Sequence, residues 1–229
     1  MKWGVVSFPG SLDDRDTLYA LRDVLGQDAI PLWHKDEAIG GVDCVVLPGG
    51  FSYGDYLRTG AIARFSPIMK SVARFAGEGG LVIGICNGFQ ILCEARLLPG
   101  ALTRNRSLSF ICERVTVRVE NPHTAFTCAT KQGDLLRLPI KHGEGLYVAP
   151  EDELRAMEER GQVILRYVDE RGAETDSANL NGSMRAVAGV ANERFNVFGL
   201  MPHPEHAVEP MLGGEDGGKL FGSIIASAA

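Results

Sequence analysis

Gly84-Ile85-Cys86-Asn87-Gly88 joins an apolar run, Leu81–Ile85, to a helix-like stretch that begins at Phe89. An apolar strand, a tight turn flanked by glycines and a helix together form a nucleophile elbow, in which the turn exposes one side chain. In this chain that side chain is the thiol of Cys86. Backbone N–H groups and the helix dipole at a helix start stabilise negative charge, so they favour the thiolate. The alternative interpretation is a buried structural cysteine that follows a core strand.

The sequence around this elbow predicts an α/β fold. Apolar runs without alternation predict strands at 3–8, 29–33, 42–47 and 81–85. Helices are predicted after Ser11, which with Asp14 resembles a capping box, and at 65–76. Continuous apolar strands between helices indicate a parallel sheet that is covered on both faces.

The second half of the chain has a different pattern. Val115, Val117 and Val119 alternate with polar residues, which is the period of a half-buried strand and favours antiparallel pairing. Further strands are predicted at 162–168, 185–191 and 195–201, and helices at 151–160 and 218–228. We therefore expect one domain over residues 1–229, with a mixed central sheet and helices on both faces.

Composition excludes several classes of protein. Hydrophobic residues make up 45% of the 229 residues, yet no run approaches the roughly 18 apolar residues of a membrane span. The first residues lack the features of a signal peptide, so we expect a cytoplasmic protein. A net charge of −6 argues against a nucleic-acid partner. The five cysteines show no paired spacing, which indicates free thiols.

His203 is the best candidate for the base that a reactive thiol needs. It stands in Met201-Pro202-His203-Pro204-Glu205, directly after an apolar run, where the prolines favour extended backbone. Residues i and i+2 of an extended segment project to the same side, so Glu205 can orient the imidazole. A surface His–Glu pair on a loop is the alternative interpretation of this short motif.

Acyl transfer also needs N–H donors for the oxyanion of the tetrahedral intermediate. The N–H of Asn87, directly after the thiol, is one candidate. Gly50 follows another predicted core strand and has the backbone freedom to turn an N–H inward, although an ordinary glycine turn would have the same sequence.

Two other motifs suggest different chemistry. The run 213–219 has the spacing of a phosphate-binding loop, but Leu220 replaces the required Ser or Thr and no predicted strand precedes it. His203, Glu205 and His206 could also ligate a metal, as in a metallohydrolase. We expect their crowding around Pro204 to keep all three from one ion, and so we predict no metal site.

The motifs named above resemble the class I, triad-type glutamine amidotransferases. More narrowly, the chain is similar over almost its whole length to the glutaminase subunits of phosphoribosylformylglycinamidine synthase, an enzyme of purine biosynthesis. The stretches that carry this resemblance are 48–56, 84–90, 105–110, 142–145, 181–183 and 203–205. The resemblance implies a flavodoxin-like fold.

The resemblance also implies a reaction and its catalytic residues. Such a subunit hydrolyses L-glutamine to glutamate and ammonia. Cys86 would attack the carboxamide and form a thioester. His203 would move the protons, and Glu205 would orient His203.

Further residues and partners follow from the same resemblance. The N–H groups of Gly50 and Asn87 would form the oxyanion hole, and Gln90, His142 and Gly143 would contact the substrate. A large synthetase subunit would bind ATP and Mg²⁺ and would use the ammonia to convert formylglycinamide ribonucleotide to its amidine. A small third subunit would join them, and this chain would need no cofactor of its own.

Two positions depart from the family pattern. The first turn reads Ser11-Leu12-Asp13, where Asn and often Cys are expected, and His206 replaces the Arg that usually follows the triad glutamate. We expect neither departure to touch the triad.

Overall fold

The computed structural model describes residues 1–228, and its regular elements follow the predicted alternation of strands and helices. The strands are β1 (Lys2–Ser7), β2 (Asp28–Trp33), β3 (Cys44–Leu47), β4 (Leu81–Ile85), β5 (Ala101–Thr103), β6 (Ile111–Val119), β7 (Leu135–His142), β8 (Leu146–Val148), β9 (Val163–Val168), β10 (Val187–Ala191) and β11 (Val197–Leu200). The helices are α1 (Asp14–Tyr19), α2 (Pro67–Gly77), α3 (Asn87–Glu94), α4 (Glu151–Glu159) and α5 (Gly217–Ser227), and a π-helical turn, Ala20–Val24, extends α1.

Nine strands form one mixed sheet in the order β2-β1-β3-β4-β11-β10-β9-β6-β7. Neighbours from β2 to β11 pair in parallel, and neighbours from β11 to β7 pair antiparallel. The first four strands have the flavodoxin-like order 2-1-3-4, with β11 in the fifth place. The predicted mixed α/β fold is confirmed.

Strand register shows that helices cover both faces of the parallel half. A Cβ on Gly84 of β4 would lie 2.5 Å from Leu92 of α3, so α3 packs on the Gly84 face. Trp3 of β1 pairs with Cys44, and Cys44 pairs with Leu81 of β4, so these side chains lie on one face of the sheet. Side chains alternate between the faces along a strand, and Leu81 is an odd number of residues from Gly84, so Trp3 lies on the face opposite to Gly84. Its indole packs edge-on against Phe221 of α5, with ring centroids 6.0 Å apart.

The start of α3 lies unusually close to the sheet. A Cβ on Gly88 would lie 1.9 Å from the carbonyl oxygen of Leu47 in β3. Only glycine allows this approach, because the neighbouring atom belongs to backbone that cannot move aside. The contact fixes the beginning of α3, and hence Cys86, against the edge of the sheet.

Three local predictions need correction. The capping box is wrong, because the Ser11 hydroxyl accepts a hydrogen bond from the N–H of Phe8 and does not cap α1. The strand predicted from residue 185 begins at Val187, because Met184–Ala186 form a 3₁₀ turn with Arg185 at φ 47°. The sequence also missed β7, which supplies the last strand of the sheet.

The carboxyl ends of β1, β3, β4 and β11 meet at one edge of the sheet. Open α/β sheets bind ligands at this edge, where the direction of strand order reverses. The segments that follow these strands contain Asp13, Gly50, Cys86 and His203. Among the described helices, none is long and apolar enough to cross a membrane.

Candidate active site

Cys86 occupies a strained turn between β4 and α3. Its φ of 51° and ψ of −104° are costly for a residue with a side chain, and strain of this kind is typical of functional sites. The N–H of Cys86 donates to the carbonyl oxygen of Leu200 in β11 at 2.8 Å. Since α3 starts at the next residue, its N-terminal dipole favours negative charge on the thiol. The predicted elbow is therefore present in the structure.

His203 and Glu205 form a buried pair beside the elbow. Nδ1 of His203 lies 2.6 Å from Oε1 of Glu205, and the two residues are 0% and 1% exposed. The N–H of His203 donates to the carbonyl oxygen of Pro139 in β7 at 2.8 Å, which anchors the segment to the far half of the sheet. Nε2 of His203 has no hydrogen-bond partner among the described residues, so it is available to the thiol and to a substrate.

Burial and charge oppose each other at His203. Burial lowers the pKa of His203, but the negative charges of Glu205 and Cys86 outweigh it and raise the pKa to about 10. A buried imidazolium is tolerable only beside compensating negative charge. The surroundings of His203 therefore favour its imidazolium form at neutral pH.

The backbone N–H groups of Gly50 and Asn87, predicted as oxyanion donors, are not used in the hydrogen bonds around them. Gly50 has φ 134°, a conformation that favours glycine, and it bridges to Ser11. The two hydrogen bonds of this bridge are made by flanking residues: the N–H of Leu12 donates to the carbonyl oxygen of Gly49, and the N–H of Phe51 donates to that of Gly10. The N–H of Gly50 therefore takes part in neither bond. Asn87 is the first residue of α3, so no carbonyl of its own helix can accept from its N–H.

A cavity of about 140 Å³ opens beside Cys86 and includes Gly50 in its wall. The predicted substrate residues Gln90, His142 and Gly143 also line it. This volume is well below the 300–1,000 Å³ of drug-sized ligand sites, so the cavity suits a small molecule.

His142 and Gln90 are held rigidly in the cavity wall. Burial, and then the charge of His203, lower the pKa of His142 to about 4, so its imidazole is neutral near pH 7. Its Nδ1 lies 3.1 Å from Oδ1 of Asn105. The Gln90 amide donates to the carbonyl oxygen of Glu144 and accepts from Asn87 Nδ2 at 2.9 Å. Both side chains therefore shape the cavity through bonds within the protein.

Asp55 and Glu144 place two carboxylates in the same cavity, and no sequence motif pointed to Asp55 in particular. Burial, and then the charge of Glu144, raise the pKa of Asp55 to about 6. Asp55 has φ 54°, and Tyr53 and Leu57 of the same loop also have positive φ. Paired acids in a small cavity attract a cationic group, such as the α-ammonium of an amino acid.

The expectation that the two departures from the family pattern avoid the triad is wrong. Asp13 Oδ2 lies 3.7 Å from His203 Nδ1, and His206 Nε2 lies 3.7 Å from Glu205 Oε1. Sequence distance hid these contacts, because Asp13 follows the first strand and His206 follows the last.

The expectation that crowding around Pro204 keeps His203, Glu205 and His206 apart is also wrong. Ligand atoms of His203, Glu205 and His206, together with one of Asp13, lie within 4.8 Å of one another. The cation that contacts this group is the ammonium of Lys141, which is bonded to Asp13. The structure therefore supplies positive charge here from the chain itself.

The arrangement is suited to nucleophilic acyl transfer. It combines a thiol at a helix start, an imidazole oriented by a buried acid, two free N–H donors and a small cavity with an acidic wall.

Comparison with known proteins gives a family and close relatives. Residues 2–213 match the CobB/CobQ-like glutamine amidotransferase domain. The chain is 56% identical to the phosphoribosylformylglycinamidine synthase subunit PurQ of Salinibacter ruber, over 98% of this chain and 95% of that protein. It is 54% identical to the PurQ subunit of Thermomicrobium roseum, over 99% and 96%.

A solved structure agrees with these relatives. One chain of the PurLQS structure from Thermotoga maritima superposes with a TM-score of 0.88 at 46% identity, and the match covers 100% of this chain and 99% of that one.

Proposed function

The chain belongs to the CobB/CobQ-like glutamine amidotransferase domain family and, within it, to the PurQ subunits of phosphoribosylformylglycinamidine synthase, and on this premise we propose how its residues hydrolyse glutamine. Cys86 is the nucleophile. His203 is the acid and base, and Glu205 holds its imidazole in place. Residues 1–229 act as one glutamine amidotransferase domain.

In the first half of the reaction the Cys86 thiolate attacks the carboxamide carbon of L-glutamine. The carbonyl oxygen becomes an oxyanion that accepts hydrogen bonds from the N–H groups of Gly50 and Asn87. The intermediate collapses, the carbon–nitrogen bond breaks, and His203 donates its Nε2 proton to the departing ammonia. A glutamyl thioester on Cys86 remains.

In the second half water attacks the thioester. Neutral His203 removes a proton from this water through Nε2, and a second oxyanion forms in the same hole. Its collapse releases glutamate and returns the Cys86 thiolate and the protonated imidazole. Glu205 remains an anion throughout and stabilises the imidazolium at each stage.

Substrate orientation comes from the cavity wall. Gln90, His142 and Gly143 border the space that the glutamine occupies. The carboxylates of Asp55 and Glu144 accept hydrogen bonds from the α-ammonium of the substrate. This contact directs the carboxamide toward Cys86. Because the cavity is only about 140 Å³, it admits one small amino acid and excludes nucleotides.

The ammonia is used by another subunit. The large synthetase subunit binds ATP and Mg²⁺ and aminates formylglycinamide ribonucleotide to its amidine, and a small third subunit completes the assembly. The work takes place in the cytoplasm. The relatives named PurQ and the PurLQS structure support this division of labour.

The observation that carries the proposal is the buried 2.6 Å contact between His203 and Glu205 beside the Cys86 elbow. The test uses Cys86→Ala in the assembled complex. Glutamine-dependent synthesis of the amidine and release of glutamate should both disappear, while synthesis supplied with an ammonium salt should continue. Cys112→Ala, at an exposed cysteine, is the matched control and should retain both activities. Glutamate release by Cys86→Ala at the wild-type rate would refute the proposal.

A further inference from the structure

Asp13 is a buried carboxylate at the centre of the site, although no sequence motif assigned it a catalytic role. Its side chain is 2% exposed. Oδ1 contacts the ammonium of Lys141 and lies 3.1 Å from Nε2 of His206, and Oδ2 lies 3.7 Å from Nδ1 of His203. One carboxylate therefore faces a lysine and two histidines, one of which is the proposed base.

Backbone contacts hold Asp13 in this position. The carbonyl oxygen of Gly49 accepts from the N–H groups of Leu12 at 3.4 Å and Asp13 at 3.3 Å. A Cβ on Gly49 would lie 2.4 Å from Asp13 Oδ2 and 2.7 Å from Cε1 of His203. The missing side chain of Gly49 thus lets the carboxylate and the imidazole approach each other, next to the proposed oxyanion donor Gly50.

Lys141 connects Asp13 with the nucleophile. Its carbonyl oxygen lies 3.8 Å from Cys86 Sγ, and the residue also lines the substrate cavity. Burial lowers the pKa of Lys141, but Asp13 first, and then Glu205 and Cys86, outweigh this effect and raise it. Lys141 is therefore a cation whose backbone carbonyl contacts the Cys86 thiol and whose ammonium is held by Asp13.

We propose that Asp13 and Lys141 form a positioning ion pair that sets the pH range of the Cys86–His203 pair. Lys141 stabilises the thiolate form of Cys86, and Asp13 stabilises the imidazolium form of His203. This inference rests on the proposed function, and it adds two residues that act through the triad.

The groups around Asp13 determine its own charge. Lys141 faces it from β7, while His203, Glu205 and His206 face it from the segment after β11. Asp16 of α1 lies 3.8 Å from His206. Burial raises the pKa of Asp13, but His206, His203 and Lys141 outweigh burial and hold the pKa well below its usual range. Asp13 therefore stays anionic across the working pH range.

The test compares two pH profiles in the assembled complex, from roughly pH 5 to roughly pH 10.5. The first is the rate at which iodoacetamide alkylates Cys86, followed on the Cys86 peptide by mass spectrometry, and it reports formation of the thiolate. The second is kcat/KM for glutamine, whose alkaline limb reports loss of the imidazolium.

The two charge-removing variants should move these profiles in opposite directions. Asp13→Asn removes a negative charge, so the thiolate should form at lower pH and the imidazolium should also be lost at lower pH. Lys141→Met removes a positive charge, so both limbs should move to higher pH. Each shift should be on the order of 1 pH unit, and the double variant should return close to the wild-type profile.

Control variants separate this role from simple support of the fold. Lys141→Arg keeps the charge and should keep the profile, and the exposed Lys131→Met should change nothing. Should Asp13→Asn fail to fold, the Lys141→Met variant still tests the inference. The Lys141 side chain is 33% exposed, so we expect this variant to fold. Shifts that are absent, or that have the same sign in both variants, would overturn the inference. Failure of the proposed function would instead appear as glutamine hydrolysis that does not depend on Cys86.

Discussion

The Glu205 carboxylate lies 2.6 Å from Nδ1 of His203, with both side chains sealed from water. This contact fixes which nitrogen of the imidazole is free, because Nδ1 is committed to the acid and Nε2 is left open. In the proposed mechanism, proton transfer at the Cys86 thiol and at the substrate therefore passes through Nε2.

Glu205→Gln should lower kcat for glutamine by about a thousandfold, because the amide neither orients the base as well nor stabilises its cation. Since Glu205 raises the pKa of His203, the alkaline limb of the residual activity should move to lower pH. Initial rates of glutamate release across pH check both effects. Ammonium-dependent synthesis should be unaffected, and the exposed Glu170→Gln should behave as wild type. Normal kcat in Glu205→Gln would contradict this role.

Asp55 should control the affinity for glutamine in a pH-dependent way. Because its pKa is about 6, Asp55 becomes protonated as pH falls through that value, so KM for glutamine should rise there. Asp55→Asn should have a high KM at all pH values and should lose this acid-side dependence. Steady-state kinetics from roughly pH 5 to roughly pH 8 decide, with the exposed Asp152→Asn as control.

The same substitution should make the fold more stable near pH 7. The folded-state pKa of Asp55 exceeds its ordinary value of 3.8, so the folded state binds more protons than the unfolded chain between these values. The contribution of Asp55 to the free energy of unfolding is therefore lost as pH rises through about 6. The uncharged amide of Asp55→Asn does not ionise, so the variant does not suffer this loss. A higher Tm together with a higher KM would show that Asp55 serves the substrate at the expense of stability.

Gly88→Ala should destabilise the fold by roughly 3 kcal/mol, because its Cβ would collide with the Leu47 carbonyl oxygen. Any refolded enzyme should be poorly active, since Cys86 moves with α3. Gly222→Ala in α5 is the matched control: nothing lies within 4 Å of its Cβ, so it should gain about 1 kcal/mol of helix stability. Urea unfolding of the two variants gives the comparison, and equal stability would contradict the close-contact argument.

A glutamine analogue that carries a chloroketone should label Cys86 before the other thiols. Burial raises the pKa of Cys44 and of Cys93, which keeps both thiols protonated and unreactive. Cys112 and Cys128 are exposed, and neither lines the cavity beside Cys86. Peptide mass spectrometry after limited labelling checks the order, and excess glutamine should protect Cys86 alone.

The sequence predicted those parts of the candidate site whose residues are close together in the chain. The elbow at Cys86 and the His203-x-Glu205 motif each lie within a few residues, so their turn and spacing could be recognised in the chain. The parallel half of the sheet could be predicted for the same reason, because uninterrupted apolar runs have few alternatives to buried strands.

Contacts between distant segments could not be predicted in this way. Asp13 and Lys141 are 128 residues apart, and they meet although β1 and β7 are not neighbours in the sheet. Asp55 belongs to a loop of positive φ angles that no apolar period encodes. The sequence did contain one indication of this contact, because Asp13 and His206 both depart from the family pattern and the fold places them in contact.

The position of β11 has a consequence for the protein as it is being made. This strand leaves the ribosome more than a hundred residues after β4, yet it pairs in the middle of the sheet, between β4 and β10. It also delivers His203 to a thiol that was synthesised more than a hundred residues earlier. Until β11 and His203 have been made, a nascent chain has the proposed nucleophile without the proposed base, and it cannot release ammonia by the proposed mechanism.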